Sequence, residues 1–250
     1  MAEGVSTLIT GASSGIGRAT AFRLSCGSSL ILHGRDIERL EETRQSCVKP
    51  ERHLIWPSDL LDVGSLAGSL TTLLSESGVF VESFVHCAGM VEVLPMRSTD
   101  HSTMLRTMTV NFLSAAEIIN TLLKKAANNR QLRNIVFISS IYSRFGARGH
   151  SAYAASKAAL DGLMRTLAVE LAPSVRVNSI LPGAVPTRMA EECFSDPDIL
   201  ESISRSYPLG TGEPGNIGDA VEFLLSDKAR WITGQQFTVD GGRSVNASVK

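Results

Sequence analysis

A chain of 250 residues, 43% apolar and 20% charged, can bury a large core inside one α/β domain. A formal charge of −1 with no basic cluster excludes an electrostatic grip on nucleic acid or an anionic membrane. With no apolar run of membrane-spanning length, no signal-peptide pattern in MAEGVSTLIT and four scattered cysteines (Cys26, Cys47, Cys87, Cys193), a cytoplasmic protein with reduced thiols and no metal is expected.

Val5 to Thr10 reads as a short buried strand running into Gly11-Ala12-Ser13-Ser14-Gly15-Ile16-Gly17 and then the helical pattern RATAFRLSC. Strand, glycine-rich turn and helix form the setting of a pyrophosphate cradle, in which glycines admit close backbone approach and the helix start supplies free N–H groups. Ser29 to Gly34 is a second strand, leading to Arg35, Asp36 and a helix. Its end carries no carboxylate for a ribose 2′-hydroxyl, and Arg35 offers a charge-assisted contact to a phosphate, so NADP(H) is expected in preference to NAD(H). A surface ion pair between Arg35 and Asp36 is the alternative.

His53 to Trp56 is a third strand, followed by Pro57-Ser58-Asp59-Leu60. Asp59 either faces an adenine amino group or caps the next helix. A helix over VGSLAGSLTTLLSES, a strand over Phe84 to Gly89, a long helical segment from about Met104 to Ala127 and the strand IVFISS follow. The sixth and seventh strands are VRVNSILPG and QQFTVDGG. Strands alternating with helices, without hairpins, predict a Rossmann-type α/β fold: a doubly wound seven-stranded parallel sheet with helices on both faces, occupying residues 1–250 as one catalytic domain.

Between the fifth and sixth strands lies Tyr153-Ala-Ala-Ser-Lys157 at the head of a helix, which puts Tyr153 and Lys157 on one face. A neighbouring ammonium favours a phenolate and is expected to lower the phenol toward a working range. Ser140, thirteen residues before the tyrosine, ends a strand and can hydrogen-bond the same oxygen as Tyr153.

With TGASSGIG, YAASK and that upstream serine, the chain resembles the short-chain dehydrogenase/reductase family from Thr10 to Gly242, and in length and motif order the 3-oxoacyl-carrier-protein reductases within it. The resemblance implies hydride transfer between nicotinamide and a ketone or secondary alcohol. Tyr153 would be the general acid or base, Lys157 its modulator and ribose anchor, Ser140 the substrate positioner and Asn111 a water-holding relay. It places Gly11, Ser13, Ser14, Gly15, Ile16, Gly17, Arg35, Asp59, Leu60, Ala88, Gly89, Tyr153, Lys157, Pro182, Gly183, Val185 and Thr187 along the cofactor. It also suggests a homotetramer or homodimer.

Two departures stand out: His86-Cys87-Ala88-Gly89 replaces the family's Asn-Asn-Ala-Gly, and Thr211 replaces an arginine after PLG. Cys87 reads as a small filler. Ser140, Tyr142 and Tyr153, with Arg148 and His150, are candidates for the substrate side. The variable segment at about 188–208, with Met189, Cys193, Phe194 and Ile199, suggests a partly apolar lid. Arg130 and Arg133 are candidate contacts for an acidic carrier protein. A sugar or polyol dehydrogenase and a non-catalytic NADP(H)-binding sensor are further alternatives.

Overall fold

The computed structural model describes residues 4–190, 201, 203 and 205–247. Its strands are β1 (Val5–Thr10), β2 (Ser29–Gly34), β3 (Leu54–Pro57), β4 (Phe80–His86), β5 (Asn134–Ile138), β6 (Arg176–Pro182) and β7 (Gln236–Val239). They form one parallel sheet in the order β3-β2-β1-β4-β5-β6-β7. Helices α1 (Gly15–Leu24), α2 (Ile37–Ser46), α3 (Val63–Ser77), α4 (His101–Met108), α5 (Ser114–Leu123), α6 (Lys125–Asn128), α7 (Ser151–Glu170) and α8 (Pro214–Leu225) connect them.

Successive strand side chains alternate between two cores. Leu8, Ile31, Phe84, Ile135 and Phe137 point into one, with the α3 stripe Leu66, Leu70 and Leu74 and with Leu160, Met164 and Leu167 of α7. Ile9, Leu30, Leu32, Val85 and Val136 point into the other, against α1 and against Ile217, Val221 and Leu224 of α8. A sheet covered on both faces explains why its strands are near-continuous apolar runs. Full burial of each large apolar side chain stabilises by about 2 kcal/mol before entropy is counted.

The chain moves outward through β2 and β3, then crosses back to lay β4 against the other side of β1. Thr10 and His86 are register partners at the carboxyl ends of β1 and β4. A crevice opens where the strand order reverses, and ligands of open α/β sheets bind there.

Most strand ends shift by one to three residues from those expected, and three differences have a visible cause or consequence. β4 begins at Phe80 rather than Phe84, because the Asn128 side chain accepts from Val81 N–H (2.6 Å) and donates to Val81 C=O (2.8 Å). β3 begins one residue late, since the His53 ring is occupied bridging Leu30 N–H (3.1 Å) and the Val48 carbonyl (3.0 Å). The long helix is interrupted by a π-helical turn at Thr109–Leu113. No helix among the described residues is long and apolar enough to cross a membrane.

Candidate active site

The glycine turn is shaped by contacts that a side chain would destroy. Gly11 has φ +69°, and a Cβ there would lie 2.9 Å from Ala88 N and Cα, so the turn packs on the exit of β4. A Cβ on Gly17 would sit 2.2 Å from the Gly11 carbonyl oxygen, which leaves no alternative to glycine where α1 rests on its own turn. Gly15 (φ +52°) faces Thr187, whose Cγ2 would be 3.1 Å from an added Cβ. Ser14 stands at the N-cap in extended conformation without a side-chain cap, so the first N–H groups of α1 have no side-chain acceptor there. Ile16 packs against the core beneath, and Ser13 Oγ lies 3.4 Å from where a Gly34 side chain would start. The turn thereby meets both the end of β2 and the segment after β6.

At the end of β2 the Arg35–Asp36 pair does not form. Asp36 instead accepts from Arg39 N–H at 3.1 Å and caps α2. Arg35 is exposed beyond the sheet edge and makes no ion pair within 4 Å among the described residues. Asp59 neither caps α3 nor lies buried: it is exposed, and its Oδ1 accepts from Leu61 N–H at 3.0 Å, shaping the turn. Leu60 points into the core with Trp56 and Leu66, so only its main chain can face the crevice.

Thr10 and His86 organise the junction. Thr10 Oγ1 accepts from Ala88 N–H (3.2 Å) and shares a hydrogen bond with His86 Nδ1 (2.9 Å). Beyond Ala88, a Cβ on Gly89 would be 3.4 Å from both Asn111 Oδ1 and Lys157 Nζ, and 3.7 Å from Met189 Cε. Asn111 is fully buried, and its amide is wholly engaged. Oδ1 accepts from Met90 N–H (2.7 Å), while Nδ2 donates to Met90 C=O (3.0 Å) and Ser156 Oγ (2.9 Å). Its side chain is therefore a clamp on the loop after β4. Both amide hydrogens are taken in this clamp.

Tyr153 and Lys157 share one face of α7, with Lys157 Nζ 5.7 Å from the Tyr153 ring centroid. The ammonium is buried and donates to the Ile138 carbonyl at 2.8 Å. Burial lowers Lys157 to about 8, opposed mainly by the nearby Asp161 carboxylate. Burial pushes the Tyr153 phenol up to about 12 against a smaller downward pull from the Ser140 hydroxyl. The expected lowering of Tyr153 by Lys157 is thus overturned here: the ammonium is anchored to a carbonyl over the ring, and desolvation dominates. Ser140 Oγ accepts from Tyr142 N–H at 3.2 Å.

Several supporting residues escaped the sequence reading. Ser139 Oγ donates to Asp161 Oδ2 at 3.0 Å, tying β5 to the turn of α7 one step beyond Lys157. The i+4 spacing of Asp161 from Lys157 was the available signal. Tyr207 accepts from Ala184 N–H at 2.9 Å through its hydroxyl and packs on Gly183, where a Cβ would meet its ring at 2.7 Å. It holds the strand exit Pro182, Gly183 and Val185 in place; Val185 itself is buried in the core. No local pattern reveals Tyr207, since its partner lies 23 residues away. Cys87 is partly buried against the second core, its thiol pushed up to about 12 by desolvation.

On the outer side, the His150 ring lies 4.8 Å from Tyr142 and 6.3 Å from Tyr153. Arg148 is exposed, and its carbonyl meets His150 Nδ1. Arg130 and Arg133 precede β5, at the end of the sheet opposite Ser140, about 16 Å away along a five-residue strand. Of the expected lid, Met189 approaches Gly89, while Cys193, Phe194 and Ile199 lie outside the described residues.

The residues fit a dinucleotide. The glycine cradle admits backbone approach, Thr187 faces it, and an open point at Gly89 is bounded by Asn111 and Lys157. Among the described residues no cluster of three His, Cys, Asp or Glu side chains could hold a metal.

Residues 11–244 match the family profile described as enoyl-(acyl carrier protein) reductase. The chain is 33% identical over 249 residues to a 3-oxoacyl-acyl-carrier-protein reductase of Rickettsia conorii, covering 96% of each. It is 32% identical over 194 residues to the cyclopentanol dehydrogenase of Comamonas sp. (strain NCIMB 9872), covering 75% of each. Among solved structures, 4-hydroxyisoleucine dehydrogenase complexed with NADH superposes with a TM-score of 0.89 at 28% identity, covering 97% of this chain and 99% of that one. Sheet order, glycine cradle and matched sequence together make this chain a member of the short-chain dehydrogenase/reductase family, nicotinamide-dependent oxidoreductases of alcohols and ketones.

Proposed function

We propose that this protein is an NADP(H)-dependent oxidoreductase interconverting a ketone and a secondary alcohol, with Tyr153 exchanging the proton at the substrate oxygen. The observation that carries the reading is the convergence of Tyr153, Lys157 and Ser140 beside the open point at Gly89. When bound, the nicotinamide supplies or receives the hydride. Tyr153, at about 12, stays protonated near neutrality and is prepared to donate to a carbonyl oxygen as charge develops there. Ser140 holds the same oxygen, and the Lys157 ammonium offers its remaining hydrogens to ribose hydroxyls. Gly11, Ser13, Ser14, Gly15, Ile16 and Gly17 cradle the pyrophosphate, and Pro182, Gly183, Val185 and Thr187 line the nicotinamide side.

Arg35 receives the 2′-phosphate, because Asp36 is engaged as a helix cap and no carboxylate ends β2. The position of Arg130 and Arg133 at the far end of the sheet removes their support for a carrier-bound substrate. A homodimer or homotetramer in the cytoplasm, with Cys26, Cys47 and Cys87 as free thiols, fits this reading.

The test is NADPH oxidation by purified protein across a panel of ketones. Tyr153→Phe should reduce the rate by about 10²- to 10⁴-fold while leaving NADPH binding intact. Equal rates in the variant and the wild type would refute the role of the phenol.

A further inference from the structure

We infer that His150 is a specificity-determining residue that accepts a hydrogen bond from a second hydroxyl of the substrate, selecting α- or β-hydroxyketones over plain ketones. The inference rests on the proposed reductase activity and names its substrate class. His150 is the N-cap of α7, with φ −106° and ψ 24°, and its main-chain carbonyl accepts from Ala154 N–H at 2.7 Å. An N-cap side chain ordinarily bonds the first helical N–H groups. Here it makes no cap bond, and the ring turns toward the two tyrosines.

The ring's chemistry follows from its one hydrogen bond. Nδ1 lies 2.8 Å from the Arg148 carbonyl, which can only accept, so Nδ1 carries the proton. In that tautomer Nε2 is the ring nitrogen left to accept. With the ring centroid 4.8 Å from that of Tyr142 and 6.3 Å from that of Tyr153, this acceptor belongs to the surroundings of the phenol that meets the carbonyl. A hydroxyl close to the reacting carbonyl is the substrate group that such an acceptor would meet.

The supporting loop is held in advance. Leu94 N–H donates to Gly149 C=O at 2.9 Å, joining the loop after β4 to the one before α7. Gly149 adopts φ +77°, and a Cβ there would be 2.8 Å from Val93 Cγ1, so the backbone next to His150 is fixed by packing. An acceptor fixed in this way loses its solvent partner when a plain ketone covers it and gains one when a hydroxyl arrives. If the ring were only packing between tyrosines, phenylalanine would serve equally well.

The experiment compares 3-hydroxy-2-butanone with 2-butanone as oxidants of NADPH, using wild type, His150→Phe and His150→Gln. The wild type should favour the hydroxyketone by about tenfold or more in kcat/KM, and His150→Phe should bring the ratio near one because hydroxyketone turnover falls far more than that of 2-butanone. His150→Gln, which keeps an acceptor, should restore part of the preference. A wild-type ratio near one, or a preference unchanged in a His150→Phe protein that still binds NADPH, overturns the assignment but leaves the reductase reading standing. Failure to reduce either ketone, with the wild type indistinguishable from Tyr153→Phe, overturns both.

Discussion

Replacing His86 with asparagine should flatten the loss of stability on acidification. The His86 ring is fully buried; Nδ1 is held by Thr10, and Nε2 has no partner. Burial, reinforced by the Lys157 ammonium, lowers it from 6.5 to about 3. His33, against Trp56 with both ring nitrogens unpartnered, is lowered by burial from 6.5 to about 4. A folded-state value below the unfolded one means that only the unfolded chain takes up protons as pH falls through 6.5, so folding weakens from there downward. At about pH 5, some 1.5 units below the unfolded value, each ring costs about 2 kcal/mol relative to about pH 8. The pair therefore removes roughly 4 kcal/mol, a large part of an ordinary domain's stability. Urea titrations at both pH values and one protein concentration would measure it. His86→Asn leaves unfilled volume and should be less stable than wild type at the higher pH, yet should lose about 2 kcal/mol less on acidification. An identical loss in variant and wild type would show that His86 does not titrate as its burial requires.

Arg35→Ala should raise the KM for NADPH at least about tenfold while changing that for NADH little, the loss expected of one charge-assisted phosphate contact; equal effects on both would exclude Arg35 from that role. Gly17→Ala forces a Cβ to 2.2 Å from the Gly11 carbonyl, so the turn must shift. NADPH affinity measured by fluorescence titration should fall by more than about tenfold, since the pyrophosphate cradle depends on that turn; wild-type affinity would show that the cradle is not where it binds.

The parts of the molecule legible in the sequence are those with local causes. β1 and β2 were bounded correctly because each is an apolar run ending in a glycine or next to one. Tyr153 and Lys157 were placed on one face by helix periodicity alone. The first half of β4 was not legible, because exposed Glu82 interrupts the pattern and the pairing that secures Val81 comes from Asn128, 47 residues away. The π-helical turn holds Asn111, whose bonds to Met90 are likewise 21 residues away in sequence. The direction of the Tyr153 shift depends on burial and on the anchoring of Lys157 to Ile138, neither of which spacing encodes.

Asn111 grips both main-chain polar groups of Met90, its N–H and its C=O, at the root of the stretch leading to α4. That grip fixes the start of the stretch beside Gly89 and Lys157. The stretch from Val91 to Thr99 therefore leaves the sheet from a fixed point, and its second tether, Leu94 N–H on the Gly149 carbonyl, ties it to the backbone just before α7.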